Sequence, residues 1–302
     1  MMTDNCRADW IAVDWGTSSL RAWAMTGDVV IDARQSDDGM GRLGPGLFEP
    51  ALTQLIDDWL GDKCLPVLAC GMVGARQGWS EAAYRPVPCA PLGAPFHRIH
   101  PDDRRFTVHI IPGLSQLDPA DVMRGEETQI AGFLSSEPDF EGVLALPGTH
   151  NKWVTLRSGL VTGFRTVMTG EVFALLSGQS VLRHGMGQGW CETAFAEGVT
   201  AAIERPADLP LALFALRAEG LLKALAPDAA RARLSGLLIG AELAATRPMW
   251  QDAPIALLGA GRLSQLYAIA LDLAGAKARV TDGTALTLAG LTRAFRLLQE
   301  SP

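Results

Sequence analysis

The feature that most constrains this chain is a pattern that occurs twice. From Trp10 a short apolar run, WIAVD, meets a Gly-Thr-Ser turn, followed by LRAWAM, a Gly-Asp turn and VVIDAR. Short apolar or alternating runs broken by Gly-containing turns read as strands in a tight meander, so three antiparallel strands are predicted here. From Gly142 the run GVLALP meets a second Gly-Thr turn, followed by KWVTL, an Arg-Ser-Gly turn and LVTGFRTV. Trp10, Arg21 and Val29 then correspond to Gly142, Trp153 and Val161, each at an offset of 132 residues. A single offset across three predicted strands and two turns points to one domain plan used twice.

A chain of 302 residues exceeds what one core usually serves, so two α/β domains are expected, 1–115 and 116–302, with the boundary between Pro112 and Gly125. The last segment, ALTLAGLTRAFRLLQE, is amphipathic and is expected to pack back on the first domain. At 48% hydrophobic and 20% charged the chain can bury a sizeable core. Its net charge of −7 argues against nucleic acid or an anionic membrane as partner, since both need a concentrated basic face. Cys6, Cys64, Cys70, Cys89 and Cys191 are odd in number and show no metal-ligand spacing, which fits buried free thiols in a reducing cytoplasm. The opening MMTDNCRADW has no basic start or apolar stretch, and no run approaches the roughly 18 apolar residues of a membrane span. The expectation is a soluble, cytoplasmic protein; a homodimer is left open.

Three segments carry candidate chemistry. In Asp14-Trp15-Gly16-Thr17-Ser18 a glycine turn ends a strand, where backbone N–H and hydroxyl groups can cradle phosphate and Asp14 can hold Mg²⁺ through water. Gly148-Thr149-His150-Asn151-Lys152 repeats the Gly-Thr turn with a cation beside it, so both loops are expected to grip one polyphosphate. No P-loop motif is present. Between them, Arg124-Gly125-Glu126-Glu127-Thr128 sets adjacent carboxylates at a predicted helix start. Phosphoryl transfer to a hydroxyl uses such a carboxylate as base, though acids in a first helical turn also answer the helix dipole. Gly259 and Gly261 follow a strand and open a helix, with Asp282 further on; the third glycine of a dinucleotide fingerprint is replaced by Ser264. Gly236 and Gly240 share one helical face, which permits close approach of a ring or of another helix.

In order, DWGTSSLRAW, CGMVGARQGW, PGLSQLDPADVMRGEETQ, LPGTHNKWV, MTGEVFALL, LSGLLIGAEL and LLGAG resemble the 2-dehydro-3-deoxygalactonokinase family over nearly the whole chain. The resemblance implies an α/β fold of two duplicated actin-like ATPase (ribonuclease H-like) domains around a central cleft. It also implies transfer of the ATP γ-phosphoryl group, with Mg²⁺, to the 6-hydroxyl of 2-dehydro-3-deoxy-D-galactonate in galactonate breakdown. Asp14, Gly16, Thr17 and Ser18 would then match the first phosphate motif and Gly148, Thr149 and His150, with Lys152 as a catalytic cation, the second. Gly236, Gly240, Gly259 and Gly261 would serve the adenosine. Glu127 or Glu126 would be the base, Glu127 being preferred. Gly71, Met72, Gly74, Arg76 and Trp79 would form the substrate loop, with Arg76, Arg124, Arg21 and Arg165 competing for the sugar-acid carboxylate. Another kinase or a polyphosphate hydrolase of the same superfamily, or a nicotinamide-dependent oxidoreductase built on Gly259 and Gly261, are the alternatives.

Overall fold

A computed structural model of the chain describes residues 8–259 and 261–300; Cys6 and Ala260 lie outside them. The chain separates into two compact units. One runs to Phe140 and takes in Ser158–Gly163 and the chain from Gly283 on; the other comprises Glu141–Arg157 and Phe164–Asp282. The first unit thus extends past the expected division at 115/116.

In the first unit the predicted meander is present as β1 (Trp10–Trp15), β2 (Leu20–Thr26) and β3 (Val29–Ser36). After helix α1 (Phe48–Ile56) come β4 (Leu65–Gly71), β5 (Arg85–Pro86), β6 (His97–Ile99), β7 (Phe106–Ile110), β8 (Leu114–Leu117), β9 (Ala120–Met123) and helix α2 (Glu126–Ser136). The main sheet runs β3-β2-β1-β4-β7-β6, with β1, β4 and β7 parallel, and β5-β8-β9 form a small second sheet. β1 reads as an unbroken apolar run because both its faces are covered. Ile11, Val13 and Trp15 pack with Phe48 and Leu52 of α1, while Trp10 and Ala12 pack on the opposite side with Leu68, Cys70 and Ala131.

The second unit repeats the strand order. β10 (Gly142–Leu146), β11 (Asn151–Arg157) and β12 (Leu160–Val167, its residues up to Gly163 grouping with the first unit) form a meander, followed by helices α3 (Thr169–Gly178), α4 (Glu192–Glu204), α5 (Leu209–Leu222) and α6 (Pro227–Trp250). Strand β13 (Ile255–Leu258), helix α7 (Arg262–Leu273) and strand β14 (Ala278–Thr281) complete a sheet ordered β12-β11-β10-β13-β14. The last helix, α8 (Gly283–Glu300), belongs to the first unit: it packs along α2, and its Phe295 stacks on Trp10 at 4.4 Å.

The single offset of 132 does not survive the registers. Trp15 pairs with Leu20 across a four-residue turn, whereas Leu146 pairs with Lys152 across five residues, 147–151. The second turn is one residue longer, so one offset cannot align both of its strands with the first hairpin.

Candidate active site

In the first unit the ends of β1, β4 and α2 come together. Asp14, next to last in β1, ion-pairs with Arg21 opposite it on β2, and the Cys70 thiol at the end of β4 donates to Asp14 Oδ1 at 3.9 Å. Two glycines make this convergence possible. Gly71 sits at φ +90°, and a Cβ on it would lie 2.7 Å from the Trp15 carbonyl oxygen; Gly125, at φ +102°, would put its Cβ 3.3 Å from Gly71 Cα. Only a residue without Cβ fits such backbone at such spacing. The Gly16 turn is closed by Gly16 N–H donating to Ser19 O at 2.9 Å and is backed by Gly41 N–H donating to Thr17 O at 2.9 Å, which leaves Thr17 and Ser18 exposed at its tip.

The two glutamates at the start of α2 differ sharply. Glu127 is 0% exposed; its Oε2 accepts from Gly125 N–H at 2.6 Å and its Oε1 from the Thr128 hydroxyl at 3.0 Å. Burial first, and the neighbouring Glu126 second, push its carboxyl up to about 8, so it is neutral at physiological pH. Glu126 is partly exposed, and its Oε2 accepts from Arg124 N–H at 3.0 Å.

The loop from Gly71 to Trp79 is braced by its neighbours. Arg124 is 8% exposed, donates to the Ala82 carbonyl at 2.7 Å and lies over the Tyr84 ring at 4.3 Å. Gly74 makes room for it, since a Cβ there would lie 2.8 Å from Arg124 Nη1 and 2.6 Å from Ile110. Trp79 packs edge-on against Trp15 at 6.1 Å and lies, partly buried, against the first core. Arg76 and Arg165 are exposed, whereas Arg21 is engaged by Asp14. Of the four arginines, Arg124 is thus enclosed by its own loop, and Arg76 is the loop's exposed cation.

In the second unit the Gly148 turn closes one end of a cavity of about 310 Å³ that is also lined by Thr169, Trp190, Arg231, Ser235, Ile239 and Tyr267. That volume lies at the small end of the range of ~300–1,000 Å³ usual for ligand sites. Arg262 lies over Trp190 at 4.5 Å and Arg231 over Phe173 at 5.1 Å, giving the cavity two flat cationic walls. The turn is held by Gly148 N–H donating to Asn151 Oδ1 at 2.6 Å and by Glu171 N–H donating to Thr149 O at 3.0 Å. His150 bonds Glu171 through Nε2 at 2.6 Å. Lys152 is 4% exposed and its Nζ donates to His150 O at 3.4 Å, so it is a buried cation within the hairpin and not a solvated strand end.

Two expectations for the adenosine are corrected. A Cβ on Gly236 would overlap the Phe195 carbonyl oxygen, and one on Gly240 would lie 2.5 Å from that of Val199. Both glycines therefore face α4 and serve helix packing; Arg231, Ser235, Leu238 and Ile239 are the residues of α6 on the cavity. Gly259 and Gly261 do stand at the β13–α7 turn, where Gly261 adopts φ +79° and the following Arg262 and Leu263 line the cavity. Cys64, expected to be buried, is exposed.

Sequence reasoning missed a buried polar cluster behind the cavity. Glu242, 3% exposed, accepts from Asn151 Nδ2 at 2.7 Å, Trp153 Nε1 at 2.7 Å, Tyr267 OH at 2.6 Å and the Thr169 hydroxyl. A glutamate next to last in the largely apolar run LSGLLIGAEL was its one sequence signal. Among the described residues no group of three or more His, Cys, Asp or Glu could hold a metal, and no helix is long and apolar enough to cross a membrane.

The strand order and the two glycine-turn sites define a mixed α/β protein of the actin-like ATPase and sugar-kinase fold. Residues 14–294 match the 2-keto-3-deoxy-galactonokinase family, and the chain belongs to that family. It is 37% identical over 297 residues to a probable 2-dehydro-3-deoxygalactonokinase of Rhizobium meliloti (strain 1021), covering 96% of this chain and 97% of that one. It is also 37% identical over 290 residues to the 2-dehydro-3-deoxygalactonokinase of Escherichia coli (strain K12), covering 94% and 96%. A crystal structure from Sinorhizobium meliloti, of a protein assigned as a 2-dehydro-3-deoxygalactonokinase, superposes with TM-score 0.88 at 37% identity over 97% of this chain and 98% of that one.

Proposed function

We propose that this chain is an ATP-dependent kinase that phosphorylates the 6-hydroxyl of 2-dehydro-3-deoxy-D-galactonate in the galactonate pathway of the cytoplasm. The observation that carries the reading, beside family membership, is the cavity of nucleoside size in the second unit that ends at a Gly-Thr turn. Its flat cationic walls suit a nucleobase, and the Gly148–His150 turn suits the phosphates that would follow it. Family membership removes the nicotinamide alternative; Gly259 and Gly261 serve the nucleotide cavity instead. The matching strand order of the two sheets supports descent from one duplicated actin-like domain.

Of the two candidate bases, Glu126 is favoured here over the Glu127 preferred from the sequence, because a base must reach the proton it takes and Glu126 is partly exposed whereas Glu127 is enclosed. Glu126 accepts the proton of the sugar hydroxyl, the resulting oxygen attacks the γ-phosphorus, and ADP leaves. Glu127 holds the turn at Gly125 that presents Glu126. Arg76 anchors the sugar-acid carboxylate, with Gly71, Met72 and Gly74 shaping the loop around it. Trp79 and Arg124 support that loop.

Mg²⁺ fits this site through Asp14. The ion is usually bound by one or two carboxylates and the substrate phosphates, so a single strand-end carboxylate with 17% of its side chain exposed suffices. When bound, the ion neutralises charge on the transferring phosphoryl group. The test is a coupled ADP-release assay over a panel of 2-dehydro-3-deoxy sugar acids. ADP release that depends on the galactonate-derived acid supports the reading, and ADP release indifferent to every sugar acid contradicts it.

A further inference from the structure

Glu242 lies in the family motif LSGLLIGAEL but has no role in the kinase reading, yet four side-chain donors converge on it. It sits in α6 and receives them from β11 (Asn151, Trp153), α3 (Thr169) and α7 (Tyr267). Burial pushes its carboxyl up and the four hydrogen bonds pull it back; burial likewise pushes the Tyr267 hydroxyl well above its ordinary range, which keeps it a donor.

The consequence for the phosphate turn lies in the polarity of one amide. Asn151 offers an oxygen on one side and an NH₂ on the other. Both Glu242 oxygens accept and the Tyr267 oxygen accepts as well, so the NH₂ of Asn151 faces Glu242 and Tyr267, and its oxygen is left to face Gly148 N–H at 2.6 Å. The orientation of the Gly148–Asn151 turn is thus set by a buried acceptor on α6 seconded by one on α7. We propose that Glu242 is a positioning residue for the nucleotide-phosphate turn, acting through the amide of Asn151.

The proposal rests on the kinase reading and is tested with Glu242→Gln. The Trp153 indole can only donate, so the introduced amide must turn its oxygen to Trp153 and its NH₂ toward Asn151. The hydroxyls of Thr169 and Tyr267 can rotate to accept, but the Asn151 amide cannot accept there without turning its NH₂ onto Gly148 N–H. The Asn151 NH₂ then faces an introduced donor and keeps only the Tyr267 oxygen as acceptor, which loosens the hold on the turn. With a buried donor left unmatched, the KM for ATP should rise about tenfold with the KM for the sugar acid unchanged. A second change restores the polarity: Asn151→Asp in the Glu242→Gln background accepts from both Gly148 N–H and the introduced NH₂, and should recover the ATP KM. Loss of packing alone would not be repaired by a second substitution.

Binding of the β,γ-imido analogue of ATP is measured by calorimetry in parallel, on the full chain. If the wild-type protein does not bind the analogue, the kinase reading itself fails. If the wild type binds it and Glu242→Gln binds it equally well, or if the double variant is no better than the single, the role of Glu242 is overturned while the kinase reading stands. Should Glu242→Gln lose its cooperative thermal melt, Asn151→Ser, which removes only the link, decides the question: an unchanged ATP KM overturns the proposal and a raised one supports it.

Discussion

Each unit buries a glutamate, and the two are put to opposite uses. Glu127, at the first turn of α2, has two donors and a second carboxylate beside it, and it is held neutral to about pH 8. Glu242, in the middle of α6, has four donors drawn from three other elements. Burial raises both carboxyls, but only the second is surrounded by enough donors to act as a fixed acceptor. Burial alone therefore does not identify a working carboxylate; the number and polarity of its partners do. In the first unit the proposed base is the partly exposed neighbour, Glu126, and the buried one holds the turn at Gly125. In the second, the buried one sets the shape of a binding turn.

The largest effect that could break this contrast is at Glu126. Glu126→Gln should lower kcat by about 10²–10⁴ while leaving the ATP KM within about twofold, measured by steady-state ADP release. Full turnover would return the base to another residue. Glu127→Gln should keep most of the activity, because an amide resembles the neutral acid, and its signature lies in stability. Between the ordinary value of 4.5 and about 8 the native protein holds a proton at Glu127 that the unfolded chain has lost, so wild-type stability falls as pH rises through that window. Gln removes the penalty, so the thermal melting difference, variant minus wild type, should grow from pH 5 to pH 9, by roughly a few kcal/mol in stability. An unchanged difference would mean that Glu127 is ionised throughout.

Smaller effects separate packing from ligand contact. Gly240→Ala forces a methyl against the Val199 carbonyl of α4 and should cost about 1–3 kcal/mol in chemical denaturation, with the sugar-acid KM unaffected. A neutral substitution would put that glycine on the ligand after all. Arg76→Ala, at an exposed cation, should raise the sugar-acid KM about fivefold and leave the ATP KM alone, since an exposed charge-assisted contact is partly screened.

What could be read from the sequence was local. The meanders, both Gly-Thr turns and the paired carboxylates at the start of α2 follow from short-range patterning, and β12 occupies the predicted LVTGFRTV. What could not be read depends on partners far along the chain. Gly236 and Gly240 announce a close approach, but only the fold shows that α4 makes it. The partners of Glu242 lie 91, 89 and 73 residues earlier and 25 later, so nothing near it in sequence marks the cluster. The one-residue difference between the hairpins is a matter of register, which an offset between motifs does not resolve. Trp79 stands in a family motif and still packs against the core, because an aromatic ring on a loop packs wherever apolar surface is nearest.

The account stands on phosphoryl transfer to a primary alcohol of a sugar acid, and ³¹P NMR of the reaction with ATP, Mg²⁺ and 2-dehydro-3-deoxy-D-galactonate observes that transfer directly. The expected result is a new phosphomonoester signal, split by the two protons of its methylene carbon, growing in step with ADP. Release of inorganic phosphate with no such signal would contradict it.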